Sequence, residues 1–279
     1  MLYWLKDKIL QLPLITKIIS SLSITGATCL YIFKEEYIFS NLWNNIYDTK
    51  IVTNPFFPML FMSGIYFSLY IPYALLDVSH FIKEFKIQKN HYPNKKEIYK
   101  SLILWLKSQI LIDVPFTSLV YLMNISTEIT KDPPKLGVFV CDILISFLLM
   151  DCLFYVVHRL LHTNWLYKNI HKIHHEFKSP FVLVGQALHP IEHLLFALVS
   201  VIPIYLTSHH LFTQHIIMIM VMMNNIDAHC GYKIINFYKW SNGFLSGSTS
   251  HDLHHERFIV NYSIYTTIWD RIFKTHSTS

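Results

Sequence analysis

Long apolar runs separated by short polar loops organise this chain. Six runs are long enough to cross or deeply enter a bilayer, at roughly 9–33, 56–76, 101–124, 136–157, 181–206 and 210–226. A transmembrane helix needs about 20 consecutive apolar residues, so the last run is marginal by itself. We therefore interpret it together with 181–206 as a helical hairpin that enters the membrane and returns. The pattern predicts an all-α integral membrane protein with about four transmembrane helices.

The composition supports a membrane protein and argues against other classes. Of the 279 residues, 52% are hydrophobic and 15% are charged, whereas soluble domains average roughly 25% charged residues. The net charge of +5 is scattered along the chain, so no nucleic-acid partner is indicated. The four cysteines lack C-x-x-C spacing, which favours packing thiols over a disulfide framework or a zinc site. Because no small-residue cleavage site follows 9–33, we interpret that run as an uncleaved membrane segment.

Charge in the loops predicts the side of the membrane that each loop occupies. Loop 77–100 carries six lysines against three acids, and the positive-inside rule places such a loop in the cytosol. Loop 125–135 is charge-neutral, and the sequon Asn124-Ile125-Ser126 is compatible with a lumenal position. Run 136–157 then returns the chain to the cytosol, and the hairpin brings the later polar segment back to the same face.

Three histidine clusters follow these runs, and 14 of the 17 histidines fall between His158 and His255. The clusters are His158-x3-His162, His171-x2-His174-His175 and His251-x2-His254-His255. Side chains at i, i+3 and i+4 share one face of a helix, so each cluster can present its imidazoles toward a common point. Eight nitrogens are too many for one tetrahedral zinc ion and suit two adjacent metal ions. We therefore expect a cytosolic helical cap that holds a di-metal site.

Other polar residues are candidates to complete this site. We place His229 with the ligands, whereas for His189 and His193 a ligand role and a capping or substrate-facing role stay open. Ligating histidines usually donate their other N–H to a carboxylate or carbonyl. Asp151 is the candidate for that role, because an acid inside an apolar run needs a partner. The remaining candidates are acids beside the clusters: Glu176, Asp227 and Asp252.

The residue types do not choose the metal, since imidazole suits iron, zinc and copper. Function favours iron, because two irons held by neutral ligands can activate dioxygen for attack on an unactivated C–H bond. A zinc pair would carry out hydrolysis, and no acyl or phosphoryl site accompanies the histidines. From another class, a histidine-rich membrane metal transporter or a bis-histidine haem protein stays an alternative.

The three boxes, in this order and separation, resemble the fatty acid hydroxylase/sterol desaturase superfamily from about Asp151 to Lys274. Four segments look most like C4-methylsterol oxidases: 165–180, His189-Pro-Ile-Glu192, Asp227-Ala-His-Cys-Gly-Tyr232 and Trp269-Asp-Arg-Ile-Phe273. The chain departs from that pattern at Lys274, where glycine is common, and at Ser248-Thr-Ser250, where an extra histidine is frequent. The resemblance divides the chain into N-terminal membrane helices and loops (1–135), a catalytic region (136–274) and a short tail (275–279).

This resemblance implies a non-haem di-iron mono-oxygenase of the endoplasmic reticulum membrane that acts on a lipid, most similar to enzymes oxidising a sterol C4-methyl group. It implies two iron ions, O2 as co-substrate, and electrons from NAD(P)H through cytochrome b5 or a similar carrier. The implied metal ligands are His158, His162, His171, His174, His175, His229, His251, His254 and His255. A sterol 25-hydroxylase-like enzyme, a C5-desaturase and a fatty-acyl hydroxylase remain alternatives within the same chemistry.

Overall fold

The computed structural model describes residues 43–45, 54, 56–122, 132–208, 210–234 and 237–278. Helices in these ranges are α1 (Phe57–Ser79), α2 (Lys95–Ser108), α3 (Val114–Leu122), α4 (Leu136–Leu161), α5 (Asn164–Asn169), α6 (Pro190–Thr207), α7 (Leu211–His229), α8 (Phe237–Trp240), α9 (Gly247–Arg257) and α10 (Ile268–Ile272). A π-helical turn, Gln109–Asp113, joins α2 to α3. The predicted membrane run at 9–33, the sequon and most of loop 125–135 lie outside the described residues.

The described residues confirm an all-α fold with about four membrane-crossing helices. Four segments are long and apolar enough to span a bilayer: Met59–Ser79, Lys95–Leu119, Gly137–Leu161 and Pro190–Thr207. Two isolated bridges are the only β-type pairing within the described residues. Local sequence explains the helix starts: Asn94 and Glu97 form a capping box at α2, and Pro190 occupies the first turn of α6, where proline is tolerated.

The apolar run 181–206 becomes a membrane helix at Pro190. Its first residues form a short 3₁₀ helix, Val182–Gln186, which is buried against Tyr66 and Ile226. These residues are apolar because protein surrounds them, and Pro190 can only start a helix, since its ring would clash with a preceding helical turn. From there α6 and α7 form the predicted hairpin, closed where Gln214 donates to the carbonyl of Ser208 at 2.9 Å.

The lysine-bearing loop and the histidine clusters lie at one end of the helices. Gln88 in this loop donates to Asp252 beside the third cluster at 2.9 Å, and Lys100 pairs with Glu176 beside the second. One of the six lysines differs from expectation: Lys86 is buried and pairs with Asp77 at 2.7 Å. It therefore holds the loop to the end of α1 and does not contribute a solvated charge that would set orientation.

Candidate metal centre

All nine histidines predicted as ligands gather into two groups. The first group contains His158, His162, His171, His175 and His254, and the second contains His174, His229, His251 and His255. Within each group, one ring nitrogen from every residue lies within 4.8 Å of the others. Only His162 is partly exposed; the other eight are buried. The two groups have the composition expected for two metal ions.

The second and third clusters each divide between the groups, which corrects the expectation that a cluster points to one place. In α9, His251 and His255 are four residues apart and share a face, whereas His254 joins the other group. The second cluster is a 3₁₀ helix, His171–Glu176, and not an α-helix. It forms a short connection between α5 and the buried segment at Phe177. This connection is too short for α-helical hydrogen bonds to offset the cost of nucleating a helix. Both clusters thereby tie the two groups together.

Backbone carbonyls fix the orientation of several rings. Nδ1 of His158 donates to the carbonyl of Tyr262 at 2.6 Å, and Nδ1 of His254 donates to that of Val260 at 2.6 Å. Two rings of the second group are held in the same way, His229 by the Asn225 carbonyl and His255 by the Phe177 carbonyl. A carbonyl only accepts, so Nδ1 carries the proton and Nε2 presents a lone pair.

These lone pairs face one another across short distances. Nε2 of His158 lies 3.2 Å from Nε2 of His171, whose own Nδ1 is turned to Glu192. Two acceptors at this distance repel unless a cation lies between them. Two nitrogens bound at right angles to one ion, at bond lengths of about 2.1 Å, lie about 3.0 Å apart. The first group therefore fits a metal ion, and the 3.0 Å contact between Nε2 of His251 and His229 fits one in the second.

The histidines are in the protonation state that metal binding needs. Burial, and after it the neighbouring imidazoles, holds the pKa well below its usual value for His171, His174, His175, His251, His254 and His255. Neutral imidazole is the metal ligand, and a cluster of imidazolium ions would repel itself. At neutral pH the site therefore offers neutral imidazole nitrogens to a cation.

The carboxylate that contacts a clustered histidine is Glu192, not Asp151. Glu192 on α6 accepts from Nδ1 of His171 at 2.6 Å, and both side chains are buried. Asp151 instead accepts from the backbone N–H and hydroxyl of Thr266. It therefore anchors the segment before α10 to α4. The signal used to choose Asp151, an acid inside an apolar helix, applies equally to Glu192.

The other candidates also have partners outside the two groups. Nδ1 of His189 accepts from the N–H of Ile191, so this ring caps α6. His193 donates from Nε2 to both oxygens of Asp113, at 2.9 and 3.0 Å. Asp252 accepts from Gln88. The contact of His189 agrees with the capping interpretation, and a substrate-facing role for His193 stays a prediction.

Sequence reasoning missed the role of Asp270. Its carboxylate accepts from the backbone N–H groups of Tyr262 and Ser263, both at 2.9 Å. These bonds hold the chain segment whose Tyr262 carbonyl orients His158. The available signal was an acid within the largely apolar segment Trp269-Asp-Arg-Ile-Phe273, since a carboxylate that becomes buried needs donors.

A cavity of about 380 Å³ opens onto the histidines. Five of the nine line it: His158, His171, His174, His229 and His251. Apolar side chains from α1, α4, α6 and α7 form most of its wall, including Met62, Phe154, Phe196 and Met222. Such a cavity suits an apolar molecule that reaches the two histidine groups with one end.

Comparison with known proteins identifies the family. The sequence profile of the fatty acid hydroxylase family matches residues 143–275. Methylsterol monooxygenase erg25B of Aspergillus fumigatus is 33% identical over 227 residues, which are 77% of this chain and 75% of that protein. The chain belongs to the fatty acid hydroxylase family. Methylsterol monooxygenase 1 of Gallus gallus is 31% identical over 245 residues, 86% of this chain and 82% of the relative.

A relative named for a different activity also aligns over most of its length. The cholesterol 25-hydroxylase-like protein of Danio rerio is 29% identical over 248 residues, 84% of this chain and 96% of that protein. No solved structure matches the chain. Family membership confirms the predicted resemblance and makes this multi-pass membrane protein an oxidoreductase.

Proposed function

We propose that this protein is an O2-dependent di-iron mono-oxygenase that oxidises a methyl group at C4 of a sterol. The observation that carries the proposal is the pair of buried all-histidine groups at the end of an apolar cavity. The methylsterol monooxygenases among the relatives support the substrate. Two iron ions, one in each histidine group, would supply the activation of O2 and the oxidising power for the C–H bond.

The protein's own contribution is to place the substrate and exclude water. The apolar wall holds the lipid, and the lining histidines mark the end where the reacting carbon must lie. Carbonyls and Glu192 hold the rings through hydrogen bonds to their other nitrogen, which orients them for a metal ion. Burial of eight of the nine ligands keeps bulk water away, which favours oxidation of the bound lipid over side reactions.

Electrons must come from a partner under this proposal. The sequence contains no G-x-G-x-x-G dinucleotide loop. We assign the supply to NAD(P)H through cytochrome b5 or a similar acidic carrier. Its docking surface would be the basic side chains around the histidine end: Arg159, Lys168, Lys172 and Lys178. The lysine excess of loop 77–100, at the same end, supports a cytosolic active site in the endoplasmic reticulum membrane.

A second candidate within the same chemistry is hydroxylation at the far end of a sterol side chain. It is favoured by the alignment with 96% of the cholesterol 25-hydroxylase-like protein of Danio rerio. The two candidates differ in which end of the sterol meets the histidines.

Expression in a yeast strain lacking its C4-methylsterol oxidase, followed by mass spectrometry of sterols, tests the proposal. We expect 4,4-dimethylsterols to fall and C4-demethylated sterols to form. Persistent 4,4-dimethylsterols despite well-expressed protein would overturn the C4 assignment, and a 25-hydroxylated product would establish the second candidate.

A paired measurement tests the metal centre. Purified protein should contain about two irons per chain, and His174→Ala should lower that content and abolish the sterol change. The control is His91→Ala, an exposed histidine that pairs with Glu97 and belongs to neither group. If His174→Ala leaves iron content and sterols unchanged, the metal centre itself is wrong.

A further inference from the structure

A polar network lies inside the membrane segment of an otherwise apolar cavity. Gln109 and Asp113 bound the π-helical turn between α2 and α3, and both line the cavity. Residues four apart share a helix face, so the turn presents both side chains to the same space. π-helical turns are rare and frequently mark functional sites. An ionisable residue within a membrane span is costly, which calls for a specific reason.

The contacts of Asp113 leave room for one more donor. Its carboxylate accepts from Nε2 of His193 and from the amide of Gln109. Gln109 in turn is 3.5 Å from the hydroxyl of Ser63 on α1. An ionised carboxylate has about four acceptor positions, and the contacts from His193 and Gln109 use three. The Asp113 side chain is 22% exposed, and it lines the cavity.

This network is connected to the first histidine group through α6. His193 follows Glu192 in α6, and Glu192 holds His171 of the first histidine group at 2.6 Å. Adjacent Cα atoms are about 3.8 Å apart. The Asp113–His193 pair and five histidines of the two groups line the same cavity, so one bound molecule can contact both.

The opposite end of the cavity offers a different polar group. His215 near the start of α7 donates from Nδ1 to the Leu211 carbonyl, so its buried Nε2 is an acceptor without a partner. Along α7, His215 and His229 are about 21 Å apart at 1.5 Å per residue. A hydroxyl bound at His215 would therefore place the far end of a lipid, and not its neighbouring carbon, at the histidine groups.

We propose that Asp113 and His193 receive the hydroxyl of the lipid substrate, so that the carbon oxidised is next to the carbon bearing that hydroxyl. The proposal rests on the proposed function and deepens it. In a C4-methylsterol, the C3 hydroxyl and the C4 methyl group are on adjacent ring carbons. The hydroxyl donates to Asp113, and Nε2–H of His193 keeps the carboxylate in place. Asp113 and His193 thereby determine which end of the sterol lies at the histidine groups.

The test measures binding without turnover. Purified full-length protein in lipid nanodiscs is loaded with tritiated 4,4-dimethylsterol without reductant, and is then displaced by unlabelled sterol or by its 3-deoxy analogue. We expect wild-type protein to prefer the hydroxylated sterol by about 10- to 100-fold, the range for a hydrogen bond to a charged group. In the double variant Asp113→Leu/His193→Phe, which replaces both partners with apolar groups, the preference should fall to within about twofold.

Two further variants decide the remaining outcomes. Asp113→Asn keeps the shape of the side chain and tests the same hydrogen bond if the double variant folds poorly. The preference of this variant for the hydroxylated sterol should fall to an intermediate value, because charge-assisted hydrogen bonds are roughly twice as strong as neutral ones. His215→Phe should keep the wild-type preference.

Retention of the preference in both Asp113 variants, or its loss in His215→Phe, overturns the proposal. So does equal binding of the two sterols by wild-type protein. If wild-type protein binds neither sterol, the proposed function fails as well, which separates the two conclusions.

Discussion

The buried carboxylate of Glu192 accepts a hydrogen bond of 2.6 Å from Nδ1 of His171. This contact joins the first turn of a membrane helix to the second histidine cluster and turns Nε2 of His171 toward the first group. Carboxylates that hold metal-ligating histidines commonly change metal affinity by about 10- to 100-fold when they are removed. We expect Glu192→Leu to weaken iron binding by that factor, measured as iron retained across a chelator series.

Matched variants distinguish the orientation of the His171 ring from the negative charge of Glu192. Glu192→Gln keeps an acceptor for Nδ1 of His171 and should retain iron better than Glu192→Leu. Glu176→Gln changes an exposed acid that pairs with Lys100 and should leave iron binding unchanged. Iron retention by Glu192→Leu equal to wild type would show that the contact does not support the metal.

The division of the histidines predicts that the two metal positions can be emptied separately. His162→Ala removes an imidazole of the first group only, and His251→Ala removes one of the second only. Each variant should retain about one iron per chain and lose mono-oxygenase activity. Iron analysis of the purified variants tests this, with His91→Ala as the reference. Full retention of two irons in either variant would mean that the substituted residue is not a ligand.

Asp270 controls His158 through the backbone. Its carboxylate accepts from the N–H groups of Tyr262 and Ser263, and the Tyr262 carbonyl accepts from His158. Asp270→Ala leaves two buried N–H groups unsatisfied, at a cost of about 1–3 kcal/mol each. We expect a lower melting temperature together with reduced iron content. Asp270→Asn keeps one acceptor oxygen, so its melting temperature should lie between those of the wild-type protein and Asp270→Ala. A normal melting temperature for Asp270→Ala would show that the Asp270 carboxylate does not hold this segment.

The helices and the histidines that gather were largely predictable because both depend on local spacing. Apolar length alone located α1, α4 and the α6–α7 hairpin. The histidine clusters named eight of the nine residues that gather, and His229 was a separate candidate. Apolar length alone extends α6 too far toward the N-terminus, because an apolar segment inside protein, such as Val182–Gln186, has the same composition as one in lipid. Pro190, which suits a first helical turn, marks the observed start.

The assignment of each histidine to a group could not be read from spacing. His254 and His255 are neighbours in sequence but belong to different groups, and this depends on how α9 meets the 3₁₀ turn. The partners of the rings are equally non-local: carbonyls at Tyr262 and Val260 carry no sequence signal. For the same reason sequence indicates Asp151 but does not single out Glu192, since both are acids in apolar helices and only packing distinguishes them.

The buried pair of Lys86 and Asp77 predicts a large and non-additive effect on stability. The two groups are 2.7 Å apart, with side chains 1% and 9% exposed, and the Tyr232 hydroxyl also donates to Asp77. Removing one member of a buried ion pair leaves an uncompensated charge and typically costs about 3–5 kcal/mol. We therefore expect Lys86→Met to lower the free energy of unfolding by that amount.

A double-mutant cycle measures the interaction between Lys86 and Asp77. Lys86→Met/Asp77→Leu removes both charges, so its cost should be clearly smaller than the sum of the two single variants. Denaturant unfolding in detergent measures each free energy. Lys89→Met, at a lysine of the same loop, is the control and should change the free energy of unfolding by less than about 0.5 kcal/mol. Additive effects of the two single substitutions would show that the pair does not fasten the loop to α1.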